Sequence, residues 1–231
     1  KRDNTTKSFE FAGHPTARFI KITVDEAVGN YGSGNELYVF KVPGTTGYLP
    51  GDINNDKKID NNDLTSYMNY TGLRKGDADF EGYISKGDIN NNGLIDAFDI
   101  SVAASQLNGT SNSYDSAAKL TGFIQISTAK QNYKKGESIE ITVKGVALSN
   151  VNALSFALPY NEQQFEYTGL QILNTGMLEN FTNNRLHSNG SKALYPTFVN
   201  VGNKPLLNGS ENLFIIKFKA KQDVTFNLKP V

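Results

Sequence analysis

Two twelve-residue stretches, 52–63 and 88–99, repeat one arrangement of side-chain oxygens. Positions 1, 3, 5, 9 and 12 hold Asp52, Asn54, Asp56, Asp60 and Asp63 in the first stretch and Asp88, Asn90, Asn92, Asp96 and Asp99 in the second. This spacing lets a short loop wrap one hard divalent cation in oxygen ligands, and the backbone carbonyl at position 7 (Lys58, Leu94) adds another. The chemistry it points to is calcium binding, two ions per chain. One such match could be chance in a chain rich in Asn and Asp, but two in register make a strong signal. Carboxylates this concentrated repel one another unless a cation is present. Position 8 is isoleucine in both loops (Ile59, Ile95), which predicts a short strand contact between the paired loops. Position 6, where the turn favours glycine, is Gly93 in the second loop but Lys57 in the first. A positive φ at a lysine costs about 1–2 kcal/mol, which ion binding offsets.

The stretch between the repeats fits the pattern more loosely, with Asp77, Asp79, Glu81, the Tyr83 carbonyl and Ser85 as candidate ligands for a third ion. Asp88 would then close this loop and open the next. The competing readings are an acidic turn, a worn-down repeat, or a loan of Asp77 and Asp79 oxygens to an ion held by another loop.

Each main loop leads into a helical pattern. Leu64, Tyr67, Met68 and Thr71 after the first, and Ile100, Ala103, Ala104 and Leu107 after the second, share the spacing i, i+3, i+4, i+7. Asn62, Asp63 and Asp99 supply acceptors at the helix starts. Gly72 and the Asn108, Gly109 pair supply the stops. The unit is loop plus helix, used twice, over residues 51–108. Residues 45–50 and 109–118 are Gly-, Pro-, Ser- and Asn-rich linkers.

The flanking regions read as strands. In 119–231 the pairs and triplets Ile124/Ile126, Ile139/Ile141/Val143, Leu154/Phe156/Leu158 and Phe214/Ile216/Phe218 alternate between turn signals, as in an antiparallel sandwich or jelly roll. Residues 1–44 carry two strand patterns, 19–24 and 37–42, but a piece this short cannot bury enough apolar surface to stand alone. The fold class is multidomain and mostly β: a β-sandwich or jelly roll, a small α module of EF-hand-like calcium loops, and an N-terminal β remnant.

Composition narrows the functions. Acidic and basic residues number 23 each and there is no cysteine. Balanced charge argues against a nucleic-acid partner, and the lack of thiols removes disulfides, zinc-thiolate sites and thiol catalysis. No apolar stretch is long enough to span a membrane, and no signal segment opens the chain. Its first residues, Lys1, Arg2 and Asp3, read as the middle of something longer. The absence of cysteine fits a bacterial exported protein, and calcium loops of this kind suit the millimolar calcium outside cells, so the expected location is the cell surface, the periplasm or outside the cell. The lone histidines, His14 and His187, read as surface or strand-end residues. No pattern for an enzyme active site emerges.

The loop-helix repeat over 51–108 resembles a type I dockerin, a duplicated module that binds two calcium ions. The resemblance implies a non-catalytic module that docks on a cohesin, as in assemblies of polysaccharide-degrading enzymes. It also implies that loop positions 10 and 11, here Asn61, Asn62, Ala97 and Phe98, face the partner. Because the two pairs differ, near-symmetric binding by either repeat is not expected. Residues 119–231, through 122–126, 133–143 and 151–160, are similar to a cohesin, the receptor of dockerins. Residues 17–24 and 34–40 resemble the last strands of a discoidin-type carbohydrate-binding module. The parent protein implied is a glycoside hydrolase whose catalytic domain is absent from this chain. Three readings remain: assembly through dockerin and cohesin modules in cis or in trans, glycan binding by the strand-rich parts with the calcium module as a rigid joint, and the tail of a glycoside hydrolase. A linker of ten residues spans roughly 17–20 Å and favours packing in cis into one rigid rod.

Overall fold

The computed structural model describes residues 49–107, 121–174, 178–202 and 204–226. The N-terminal remnant at 1–44 and the linker at 109–118 lie outside the described residues. The described residues fall within one compact unit, Thr46–Val231.

Two helices follow the two loops, α1 (Asn61–Tyr70) and α2 (Ala97–Leu107). The α1 cap sits two or three residues earlier than the sequence suggests. Asp60, in extended conformation, accepts from the Asn62 N–H, while Asp63 accepts from the Asp60 N–H, and together they form a capping box. Asp63 thus serves both as loop position 12 and as the N3 residue of the helix. Leu64, Tyr67, Ile100, Ala103 and Ala104 are buried as the periodicity predicts. Met68 is the exception at 48% exposure: it lies near the end of α1, where the helix rim meets solvent. Between the helices the chain makes short 3-10 turns at Ala78–Phe80 and Ile84–Gly87.

The strand contact predicted between Ile59 and Ile95 takes another form. Ile95 donates its N–H to the Leu73 carbonyl and accepts from Gly72, and Arg74 bridges Leu94. The second loop pairs with the segment leaving α1, because Gly72 turns that segment back at φ +80°.

The remaining strands are β1 (Thr121–Thr128), β2 (Asn132–Tyr133), β3 (Ser138–Val151), β4 (Ala153–Ser155), β5 (Leu158–Tyr160), β6 (Phe165–Ile172), β7 (Glu179–Asn180), β8 (Asn183–Leu186), β9 (Lys192–Tyr195), β10 (Thr197–Val199), β11 (Leu207–Ala220) and β12 (Val224–Thr225). One antiparallel sheet runs β1-β3-β11-β6. Opposite it lie β4-β10-β7 and β5-β9-β8. Since β4 leads into β5, β7 into β8 and β9 into β10, these are two halves of one interrupted face. The alternation read in the sequence holds: Ile139, Ile141, Val143, Phe214, Ile216 and Phe218 all point into the core. Phe198 and Leu194 meet them from the opposite face, with the Phe198 and Phe214 rings 4.7 Å apart.

A second apolar cluster joins the helical module to this sandwich. Ile53, Leu64, Tyr67, Leu73, Ile95, Ile100 and Ala103 pack with Phe181 and Val199, which belong to the sandwich. α2 lies on β4 and β10. At Gly72 an added Cβ would sit 2.3 Å from the Tyr195 ring, and its positive φ disfavours any side chain. Gly72→Ala is therefore expected to cost about 2–4 kcal/mol, read as a fall in the denaturant midpoint. An unchanged midpoint would remove the close Gly72–Tyr195 packing from the account.

Candidate metal centre and docking surface

The two loops share a frame of internal hydrogen bonds at equivalent positions. Asp52 accepts from the N–H groups of Asp56 (3.1 Å) and Lys57 (3.0 Å), and Asp88 from those of Asn92 (2.9 Å) and Gly93 (2.8 Å). Asn54 Oδ1 accepts from Asp56 and Asn90 Oδ1 from Asn92. Asp56 and Asn92 each accept from position 7, at Lys58 and Leu94. Asp60 and Asp96 cap the helices through Asn62 and Phe98. At position 12, Asp63 takes the N–H groups of Ile53 (3.0 Å) and Asp60 (2.9 Å), and Asp99 those of Ile89 (2.7 Å) and Asp96 (2.9 Å). The duplication in sequence is thus a duplication in geometry. Position 6 has positive φ in both loops, 69° at Lys57 and 84° at Gly93, and so does position 4, at Asn55 and Asn91.

In the first loop, one carboxylate oxygen from each of Asp52, Asp56 and Asp63 lies within 4.8 Å of the others. Asp52, Asp63, Asp88 and Asp99 are buried, and the contacts that hold them come mainly from neutral backbone N–H groups. Burial pushes two of them up: Asp63 is raised, with Asp52 adding to the effect, and Asp99 reaches about 7 with smaller contributions from Asp96 and Asp88. Tyr83 donates its hydroxyl to Asp52 at 3.3 Å, and burial together with the Asp52 charge pushes that phenol up to about 12. A donor set made only of oxygens, with buried carboxylates at both ends of each loop, fits a hard divalent cation. Asp52, Asn54, Asp56, the Lys58 carbonyl, Asp60 and Asp63 would hold one ion, and Asp88, Asn90, Asn92, the Leu94 carbonyl, Asp96 and Asp99 the other.

The candidates for a third ion are used differently. Asp77 Oδ2 lies 2.7 Å from His187 Nδ1 and accepts from Arg74 N at 3.1 Å, while Oδ1 accepts from Ser188 N at 3.0 Å. Ser85 Oγ donates to the Gly82 carbonyl. Asp79 lies in the first 3-10 turn, Tyr83 and Ser85 border or enter the second, and Glu81 falls between them, so 77–88 does not wrap as 52–63 and 88–99 do.

Asp77 belongs instead to a polar seam between module and sandwich. His187, read in the sequence as a surface or strand-end histidine, is 3% exposed. Its Nε2 lies 2.9 Å from the Tyr195 hydroxyl. All three groups are satisfied when Nδ1–H donates to Asp77 and the Tyr195 O–H donates to Nε2. Burial raises the Asp77 carboxyl, but the His187, Ser188 and Arg74 bonds outweigh it and hold the group below its ordinary value. Arg74 reaches Asn189 Oδ1 (3.0 Å) and Ser191 Oγ (2.8 Å), and the Ala78 N–H reaches Ser188 Oγ (2.9 Å). The end of α1 is closed from the sandwich as well. Arg185 donates to the carbonyls of Thr71 (2.9 Å) and Asn69, and Asn183 to that of Met68 (3.0 Å). No basic residue of α1 occupies its last turn, so Arg185 supplies the positive charge that the carbonyl end of a helix favours.

Of the four positions expected to face a partner, Ala97 is buried and donates its N–H to Ser155 Oγ at 3.3 Å. Asn61 and Asn62 are exposed, and Phe98 is 42% exposed. Sequence reasoning missed the roles of Arg74, Asn183, Arg185 and His187, whose partners lie more than a hundred residues away along the chain.

No protein-family model matches this chain, and no curated protein does. Among solved structures it is similar to a cohesin module from a Clostridium perfringens ATCC13124 family 33 glycoside hydrolase, at 16% identity over 45% of this chain and 73% of that one, with a TM-score of 0.34. It is also similar to a non-cellulosomal cohesin from the archaeon Archaeoglobus fulgidus, at 17% identity over 42% and 65% of the two chains, with a TM-score of 0.33. The seventh ScaB type I cohesin from Pseudobacteroides cellulosolvens matches at 15% identity over 43% and 66%, with a TM-score of 0.33. No helix among the described residues is long and apolar enough to cross a membrane.

The raised Asp99 carboxyl has a measurable consequence. In the metal-free chain the folded state binds a proton at Asp99 that the unfolded state, with a carboxyl near 3.8, has released. The stability linked to this group is fully present below pH 4 and is lost as pH rises through about 7. In EDTA, the midpoint of the wild type relative to Asp99→Asn should fall steadily from about pH 4 to about pH 7 and level off above that. A pH-independent difference would contradict the burial of this carboxyl.

Proposed function

We propose that the chain is a non-catalytic assembly unit, in which a calcium-folded, dockerin-like module (51–108) is docked in cis on a cohesin-like sandwich (119–231). The carrying observation is the shared apolar cluster, in which Phe181 and Val199 of the sandwich complete the core around Ile53, Tyr67, Ile95 and Ile100. The module's helices bury their apolar faces partly against each other and partly against the sandwich. A module arranged in this way is a joint with fixed orientation rather than a free adaptor on a tether.

Calcium supplies the charge that the loops lack. Bound in each loop, it would hold the carboxylates of positions 1 and 12 together, fixing Asp63 at the head of α1 and Asp99 at the head of α2. α1 then presents its far end to the sandwich, where Arg185 and Asn183 receive its carbonyls. The setting implied by the sequence resemblance is an exported, bacterial, glycan-degrading protein that works in millimolar calcium, with this part serving its architecture.

Equilibrium dialysis should find two calcium ions per chain, and EDTA should lower the melting temperature of the module. Asp63→Asn and Asp99→Asn should each remove one ion. A count of zero would overturn the reading, and a count of three would return residues 77–85 to the ligand set.

A further inference from the structure

Resting on the docked reading above, we propose that residues 72–77, the turn that follows α1, are the recognition element by which the sandwich face selects its helical partner, with Asp77 deciding the pairing. The partner this face fits is a helix whose free C-terminal carbonyls are followed by glycine, a guanidinium two residues on and a carboxylate three residues after that. In this chain these are Gly72, Arg74 and Asp77.

The turn crosses the interface with four hydrogen bonds, each made by the charged side chain of Arg74 or Asp77. Asp77 is buried and accepts three hydrogen bonds, two of them from the sandwich, from His187 and Ser188. His187 is itself fixed through Tyr195, whose ring lies against Gly72 where no Cβ fits. Arg74 holds Asn189 and Ser191 on the same hairpin. The loop positions implied by family resemblance contribute less: Asn61 and Asn62 are exposed, Phe98 is 42% exposed, and Ala97 offers one neutral bond at 3.3 Å.

The chemistry explains why Asp77 discriminates. The apolar part of the interface, Phe181 and Val199 against alanine and isoleucine, would accept many amphipathic helices. A partner lacking the carboxylate would bury the His187 Nδ1–H and the Ser188 N–H with no acceptor, and that penalty rejects it. A module binding in trans would need the same turn and would compete with the one already in place.

The test measures amide hydrogen exchange in the full chain at saturating calcium. Ala97 is the reporter, because its N–H crosses the interface to Ser155 on β4, whereas Asp77 meets His187 and Ser188. Ile53 and Ile89, whose N–H groups donate to Asp63 and Asp99, report that the loops stay folded. Asp77→Asn should speed exchange at Ala97 by about ten- to a hundredfold while Ile53 and Ile89 stay protected. His187→Ala changes only the sandwich side and should have the same effect. Asn61→Ala and Phe98→Ala should leave Ala97 as in the wild type. The proposal is overturned if Asp77→Asn and His187→Ala affect Ser188 alone, or if Phe98→Ala exposes Ala97 and they do not. A wild type with Ala97 unprotected would instead bring down the docked reading itself, and this inference with it.

Discussion

Two pairs of buried carboxylates, Asp52 with Asp63 and Asp88 with Asp99, close the ends of two short loops, and the helical module depends on them. Each pair gathers negative charge out of water and binds it mainly through neutral backbone N–H groups. Burying ionised carboxylates without a countercharge is costly, and the raised Asp63 and Asp99 carboxyls express that cost. Because the residue that ends each loop also stands in the first turn of the helix after it, charge compensation in the loop and orientation of the helix are one event. Calcium at these positions would relieve the repulsion and leave α1 and α2 set in direction.

What the helices do with that direction depends on a second environment. Their apolar faces do not close a core by themselves; Phe181 and Val199 enter it from the sandwich. At the far end of α1, Arg185 and Asn183 bind carbonyls that the helix leaves without partners. One ten-residue helix therefore carries a candidate ion ligand near its start and the sandwich at its end. By linkage, whatever favours the ion-bound geometry at one end favours docking at the other, and the reverse.

The legible part of this arrangement was the part written in short spacings. Asp and Asn at fixed intervals, the alternation of Ile139, Ile141 and Val143, and the helical spacing from Leu64 to Tyr67 each state a local geometry that the fold keeps. Lys57 is a sharper example, since its positive φ followed from its loop position alone. The pairing of the second loop with Leu73 and Arg74 instead of Ile59 was not legible, because it depends on how Gly72 turns the chain. The role of Asp77 was hidden for a different reason. A carboxylate at metal-ligand spacing looks the same whether an ion or a histidine 110 residues away will claim it. His187 gave no signal alone, since its meaning lies in Asp77 and Tyr195 on either side of the ring.

The central claim is that the candidate ion sites and the docked interface form one cooperative unit, distinct from the sandwich core. The most direct measurement compares amide exchange across the wild-type chain with calcium bound and after chelation. The account predicts that chelation releases Ile53 and Ile89 in the loops together with Ala78 and Ala97 at the interface, while β3 and β11 remain protected. Release of the loops with Ala78 and Ala97 still protected, or no release anywhere, would contradict it.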